Sequence, residues 1–308
     1  MGIGIMFSGQ GTQHPEMFAG LPDDDTVASL VREACDAAGL SLQDRHLPDD
    51  ACIFDNRCAQ PLIVGHALAC WAVLRESLPS PSAFVGYSVG EVSAISAAGA
   101  LPAEAAIRLA AVRAELMEEA VDVPQSMFAV RGRVSDLDAL CRDHGAWVSI
   151  DNGPEHQVIS GPVTNLASLK YALQDGPASV RDIDVTVASH CPLMEAALPP
   201  FRVALDAALE KPARRFVSAW SGKAPRDIPA LAEALTAQIS APLRWAYTLQ
   251  AVRERGVTVW LEVGCGNALA RIATELSPDV PARSIADFRS LDEAIAWAQR
   301  HDQASRVS

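Results

Sequence analysis

The chain has 308 residues, 49% of them hydrophobic, enough for a sizeable core in one large domain or in one domain with an insert. Its formal net charge of −13 argues against non-specific nucleic-acid binding and repels acidic partners at long range. No run approaches the ~18 apolar residues of a membrane span, no charged segment leads into an apolar one as in a secretory signal, and seven cysteines without a C-x-x-C pair suit a reduced, cytoplasmic protein with no structural zinc.

Gly2 to Phe7 (GIGIMF) reads as a buried parallel strand. Behind it, Ser8-Gly9-Gln10-Gly11-Thr12-Gln13 lacks both the Walker Lys-Ser/Thr and the G-x-G-x-x-G spacing of nucleotide loops. Two readings stay open for this stretch: a loop presenting backbone N–H groups around Gln10 to an anion, or an ordinary strand-to-helix turn. Residues 21–58 are irregular and acidic, apart from a helix over 26–38 capped by Asp25 or Thr26. Gln60 to Arg75 reads as a largely apolar helix with Pro61 in its first turn, and His66 inside it as a packed core histidine.

Ala83-Phe84-Val85 is a short apolar strand and residues 91–98 a helix; between them stands Gly86-Tyr87-Ser88-Val89-Gly90. Strand, G-x-S-x-G, helix is the setting of a nucleophile elbow, a sharp turn that lifts the serine hydroxyl above the sheet and aims the next N–H at an oxyanion. Small flanking residues are required, and glycine also tolerates the strained backbone. A plain turn in a Gly/Ala/Ser-rich chain is the alternative on these five residues alone.

A helix from Pro102 to about Val121 carries Glu104 and Arg108 four apart on its polar side, with Glu115 and Glu119 further on. Leu109, Val112 and Leu116 form the expected apolar side. Arg113 falls beside them, between Leu109 and Met117, and a charge there needs a partner. Snorkelling or a structural carboxylate satisfies that need as well as a functional anion does.

From residue 127 to 190 short strands alternate with two helices: strands at 127–132, 146–150, 157–160 and 180–187, helices at 134–143 and 163–174. That β-α-β-β-α-β order is the ferredoxin-like pattern. It implies an insert over 125–190 within a core built from 1–124 and 191–308. His190 lies just past the last of these strands and before Pro192, off any apolar helix face. Helices over 192–209 and 229–239, a strand at 216–219 and a helix from Pro242 follow. VTVWLEV (257–263) is a clear buried strand, Gly264-Cys265-Gly266-Asn267 turns into a helix over 268–276, and the tail beyond about Arg300 reads as disordered. The fold class is α/β: a hydrolase-like core with a parallel sheet and a nucleophile elbow, plus a smaller ferredoxin-like subdomain.

FSGQGTQ, GYSVGE, AVRAELMEEA, VSIDNGPEHQVISG, VTVASHCPLM, APLRW and WLEVGCG occur in that order along nearly the whole chain. Together they resemble the malonyl-CoA:acyl-carrier-protein transacylase family, the acyltransferases of fatty-acid and polyketide synthesis. The SAWSGKAPRDIPALAEAL segment and the overall length are most similar to the malonyltransferase (epsilon) subunit of malonate decarboxylase. The resemblance implies Ser88 as nucleophile and His190 as general base, with Gln10 and the Val89 N–H as the oxyanion hole. It places Arg113 against the free carboxylate of malonyl, the Gln238 backbone carbonyl on the histidine, and Met117, Tyr87 and Asn152 around the substrate. Three positions depart from the pattern: Tyr87 stands where histidine is usual, Ser8 replaces a proline, and Cys265 replaces the proline of a GPG turn.

The implied chemistry is ping-pong acyl transfer. His190 takes the Ser88 proton, Ser88 attacks the thioester of malonyl-CoA, and the acyl-serine passes to the phosphopantetheine-type thiol of an acyl carrier protein. It uses no metal and no tightly bound cofactor, and involves no nucleic acid or membrane. An acidic carrier facing an acidic enzyme needs a local basic patch, for which Arg131, Arg133, Lys170 and Arg181 are the candidates. Val187-Ala188-Ser189 leaves small side chains before His190, which suits a branched malonyl unit as well, as in a trans-acting acyltransferase of polyketide synthesis. An α/β-hydrolase esterase is a rival, but no HGGG-type loop is evident and Arg113 would be unexplained. A non-catalytic scaffold is the other; intact Ser88, His190, Gln10 and Arg113 speak against it.

Overall fold

The computed structural model describes residues 2–48, 51–174 and 176–307. The strands are β1 (Gly2–Phe7), β2 (Ala83–Gly86), β3 (Gln125–Arg131), β4 (Trp147–Asp151), β5 (His156–Pro162), β6 (Ser179–Ile183), β7 (Phe216–Val217), β8 (Val257–Val263) and β9 (Ala282–Ser284). The helices are α1 (Asp25–Ala38), α2 (Asn56–Ser77), α3 (Gly90–Ala97), α4 (Ala103–Glu119), α5 (Leu137–Asp143), α6 (Val163–Leu173), α7 (Leu198–Ala208), α8 (Ile228–Ser240), α9 (Trp245–Arg253), α10 (Ala268–Leu276) and α11 (Leu291–Val307).

Five parallel strands form the main sheet in the order β7-β2-β1-β8-β9. Alternate residues face opposite layers, as the period of two demands. Ile3, Ile5, Phe7, Phe84, Val259, Leu261 and Val263 pack under a helical layer that includes α1, α2 and α4. Met6, Val85, Val217 and Trp260 pack on the other side, against Trp245 and Leu249 of α9 and Leu269 and Ile272 of α10. In register, Phe7 lies between Gly86 and Val263. The loops leaving β1, β2 and β8 therefore emerge together at the carboxyl edge of the sheet, where open α/β sheets place their ligands.

Residues 125–183 form a second, antiparallel sheet in the order β4-β5-β3-β6. One face has its own core, with Phe128, Val130 and Ile159 packed under α5 and α6 residues such as Cys141, Leu166 and Leu169. The other face turns Met127, Ile150 and Val158 toward the main body. Leu243, between α8 and α9, bridges to β4: its N–H donates to Ser149 O (2.9 Å) and its carbonyl accepts from Asp151 N (2.8 Å). That pairing keeps 242–243 extended, so α9 starts at Trp245 and not at Pro242.

Other boundaries also move. Asp24 caps α1, its side chain accepting from Thr26 N and Val27 N, in place of Asp25 or Thr26. Helix α2 begins at Asn56, so Pro61 sits inside it and not in its first turn. Contrary to the expectation from sequence, one window of α2 has the length and composition of a membrane span; 78% of it is buried inside the protein, as a core helix. On α4 the buried face is Ala106, Leu109, Ala110, Arg113, Ala114 and Met117, while Val112 is exposed and Leu116 half-buried. Arg108 pairs with Glu33 of α1 (2.8 Å) and not with Glu104. Strand β6 ends at Ile183, four residues before Val187, because the Val185 N–H turns back to Ile183 O. Helix α11 carries the tail to Val307, where disorder was expected beyond Arg300; Ser308 lies outside the described residues.

Candidate active site

The turn from Gly86 to Gly90 is built from steric necessity. A Cβ on Gly86 would lie 2.2 Å from Glu91 N, and one on Gly90 2.2 Å from Phe7 O, so neither position accepts a side chain. Between them Ser88 takes φ 56°, a left-handed conformation that non-glycine residues adopt only when the surroundings enforce it. Gly90 N and Glu91 N are spent on Tyr87 O and Ser88 O (both 3.0 Å), which leaves the Val89 N–H at the open start of α3. The loop after β1 is pressed against this turn: a Cβ on Gly9 would lie 2.8 Å from Tyr87 O and 3.5 Å from Ser88 Cβ. Gln10 is thereby brought beside Ser88.

His190 arrives from the far side, also at positive φ (61°), with its N–H donating to Ile239 O (2.8 Å) at the end of α8. Its Nδ1 bonds the backbone carbonyl of Gln238. A carbonyl oxygen only accepts, so Nδ1 carries the proton and Nε2 is the bare acceptor. That Nε2 stands 2.8 Å from Ser88 Oγ, which donates to it. Burial, followed by the positive charge of Arg113, pulls the imidazole down to about 3 against the opposing pull of the Gln238 bond. The imidazole is therefore neutral at physiological pH, the form in which a histidine can accept a proton. In an NMR titration the His190 ring is expected to stay neutral through the ordinary value of about 6.5 and to take its proton only toward pH 3. Protonation near 6.5 contradicts this desolvated setting.

Arg113 is fully buried. Its Nη1 donates to Gln60 Oε1 (2.7 Å) and its Nη2 to Gln238 Oε1 (3.4 Å), while Nε has no hydrogen-bond partner among the described residues. It makes no ion pair among the described residues. Burial pulls it down to about 10, with Glu91 acting the other way. Glu91, buried and held by Ala219 N and Ser218, is pushed up to about 8. The Gln238 side chain joins this corner to the elbow, its Nε2 donating to Ser88 O (3.3 Å). Met117 is buried beside Gln60, whose Nε2 reaches its sulfur at 3.8 Å.

A cavity of about 230 Å³ opens from Ser88 and His190 between the two sheets. Gln10, Tyr87 and Asn152 line it, as does an apolar wall that includes Met127, Ile150, Val158, Leu269 and Ile272. Arg113, Met117 and Gln238 do not line it; all three are buried. Asn152 Nδ2 donates to Tyr87 Oη (3.2 Å), and the Tyr87 ring meets Trp245 edge-on (5.2 Å). A second cavity runs along Gln10, Asp55, Asn56, Asp184 and Ser189.

A family model described as "Acyl transferase domain" matches residues 5–280. The chain belongs to the acyl transferase domain family. It is 30% identical over 304 residues to the malonyl CoA-acyl carrier protein transacylase of Haemophilus influenzae, covering 94% of this chain and 96% of that one. To the Mycobacterium bovis protein of the same name it is 31% identical over 304 residues, covering 94% and 98%. Among solved structures, a malonyl-transacylase in complex with its type II PKS acyl-carrier protein matches with a TM-score of 0.88 at 28% identity, over 96% of this chain and 99% of that one. FabD from Acinetobacter baumannii matches with a TM-score of 0.88 at 27% identity, over 97% and 98%.

In this acyl transferase three features escaped the sequence reading. Gln60 is the main partner of Arg113, yet nothing in an apolar helix marks one glutamine. His156, half-buried at the cavity, faces Asn152 across 3.5 Å and is pulled down to about 4, chiefly by burial. Glu262 is 1% exposed at the end of β8, and a lone acid inside VTVWLEV was a signal available in the sequence. The basic patch fares worse than expected. Arg131 pairs with Glu275 (3.1 Å), Arg133 with Glu155 (3.7 Å) and Lys170 with Asp182, so only Arg181 of the four is left without an ion pair among the described residues. The charge argument for carrier docking there falls with those pairs.

Proposed function

We propose that this acyltransferase moves a malonyl group from malonyl-CoA to the phosphopantetheine-type thiol of an acyl carrier protein, through an ester on Ser88. The observation that carries the reading is the dyad: Ser88 Oγ at 2.8 Å from an Nε2 whose tautomer is fixed by the Gln238 carbonyl. The similarity to malonyl CoA-acyl carrier protein transacylases over nearly the full chain supports it. His190 takes the Ser88 proton as Oγ attacks the thioester carbonyl, and returns it to the departing CoA thiolate. The N–H groups of Gln10 and Val89 hold the oxyanion, each worth about 3 kcal/mol of barrier when removed. The carrier thiol then attacks the ester with His190 again as base.

Arg113 is assigned to the malonyl carboxylate. A buried guanidinium with two amide oxygens for partners and an orphan Nε is short of the anion that a buried charge requires. The carboxylate would displace the Gln60 and Gln238 contacts to reach it. CoA enters as part of the substrate, and the mechanism asks for no resident cofactor or metal.

Three finer readings belong to the same proposal. The chain comprises a hydrolase-like core, 1–124 and 191–308, and a ferredoxin-like insert, 125–190; the two sheets and the order β4-β5-β3-β6 support this division. The SAWSGKAPRDIPALAEAL segment favours the malonyltransferase subunit of malonate decarboxylase. Seven cysteines, none in a disulfide, fit a cytoplasmic setting. The test is label transfer from malonyl-CoA to a holo acyl carrier protein, run beside hydrolysis of p-nitrophenyl esters. Transfer faster than hydrolysis is expected; hydrolysis without transfer makes the protein an esterase.

A further inference from the structure

We propose that Glu262 is a positioning residue for the acylation step, holding the Gln10 loop and the α10 wall of the cavity in place through Ser8 and Ala270. The inference rests on the Ser88–His190 reading above and extends it to a residue outside the dyad and the oxyanion hole. Glu262 ends β8 beside Met6 of β1, and its carboxylate turns to the cavity side of the sheet. Oε1 accepts from Ser8 Oγ (2.7 Å) and Oε2 from Ala270 N (2.7 Å).

Each contact fills a local deficit. Asn267, at the N-cap position of α10, gives its helix no side-chain cap; its Nδ2 donates to Asp287 Oδ1 (2.9 Å). The Glu262 carboxyl takes that place by accepting from Ala270 N. Leu269 and Ile272 of the same helix face the acyl cavity. Ser8 occupies a position where the family pattern has proline, whose ring would have fixed φ of the loop. The hydroxyl bond to Glu262 supplies the missing restraint. Ser8 has little room to move, since a Cβ on Gly264 would lie 2.2 Å from its Oγ. Through Gly9, packed on Tyr87 O and Ser88 Cβ, any shift of Ser8 displaces Gln10 relative to the nucleophile. Displacements of that kind, well under the size of an atom, are what oxyanion geometry does not tolerate.

The experiment measures the rate at which a fluorophosphonate labels Ser88, together with kcat and KM for malonyl transfer, in wild type, Ser8→Ala, Glu262→Gln, Glu262→Leu and the Ser8→Ala/Glu262→Leu double variant. Ser8→Ala slows labelling and kcat about tenfold with KM for malonyl-CoA within about twofold, the split expected when only transition-state contacts are lost. Glu262→Gln recovers most of the rate, because its carbonyl accepts from Ala270 N while its amide donates to Ser8 Oγ. Glu262→Leu is at least as slow as Ser8→Ala, and adding Ser8→Ala to it costs nothing more, because the two act through one contact. Wild-type labelling rates in Ser8→Ala, a rise in KM alone, or losses that multiply in the double variant overturn the proposal. If Glu262→Leu does not fold, Ser8→Ala and Glu262→Gln decide. The phosphonate carries no malonyl group, so a protein that labels at Ser88 yet moves no malonyl overturns the functional reading while the labelling rates still settle this one.

Discussion

Replacing His190 by asparagine lowers malonyl loading by about 10³-fold, within the span assigned to a general base. Asparagine is the informative substitution because His190 sits at φ 61°. Alanine there adds backbone strain of about 1–2 kcal/mol, whereas asparagine visits this region readily. The amide cannot take a proton at neutral pH, so the variant keeps the turn and loses the base. KM for malonyl-CoA should change little, since Nε2 bonds Ser88 and not the acyl group. Stopped-flow loading with a parallel melting curve checks both. A fully folded asparagine variant that loads at more than a tenth of the wild-type rate would remove His190 from the mechanism.

Arg113→Ala should lower malonyl kcat/KM about 30-fold or more, from the roughly 2–5 kcal/mol lost when one partner of a buried charged pair is removed. Acetyl-CoA has no carboxylate to lose, so acetyl transfer falls little or rises. The geometry sharpens this contrast. Arg113 makes no ion pair of its own among the described residues, and its hydrogen-bond partners are the two amide oxygens of Gln60 and Gln238, which weakens the competing role as half of a structural salt bridge. Glu91 is the nearest acid influence, and burial already holds it up to about 8. Arg113→Lys is expected to be impaired as well, because an ammonium lacks the planar fork that grips a carboxylate with two bonds. Equal losses on malonyl and acetyl substrates would end the assignment.

The parts of the fold that were legible are those whose physics is local. GIGIMF is a continuous apolar run and VTVWLEV a largely apolar one, and G-x-S-x-G records a steric constraint that Gly86 and Gly90 spell out in single atoms. The parts that were not legible depend on distant partners. Asn56 is buried at the start of α2 because its amide donates to Ala114 O, 58 residues away, so the first turn looked like loop. The inner face of α4 is a stripe of alanines, a weaker hydrophobic signal than Val112 and Leu116. Residues 242–243 read as helix because Pro242 suits a first turn, yet Leu243 bridges to Ile150 of β4. Strand β9, three residues long, is too short for any pattern.

The site divides in the same way. Ser88, His190 and Gln10 were placed by motif, and the structure gathers them at one carboxyl edge. Gln238 was expected to act through its backbone carbonyl; it does contact His190 that way, and its side chain also joins Arg113 to Ser88 O. Tyr87, the departure beside Ser88, is held by Asn152 and Trp245 at the cavity wall. Ser8, the other departure at this edge, finds its partner 254 residues later at Glu262, a separation no local pattern reports.

Intact-mass measurement of the protein after incubation with malonyl-CoA, without carrier protein, tests the central claim most directly. The acyl-enzyme reading predicts a gain of one malonyl group per chain, mapped to Ser88 by peptide analysis, and lost when an acyl carrier protein is added. Ser88→Ala takes up none. A malonyl group found on a cysteine such as Cys191, or uptake that persists in Ser88→Ala, contradicts it.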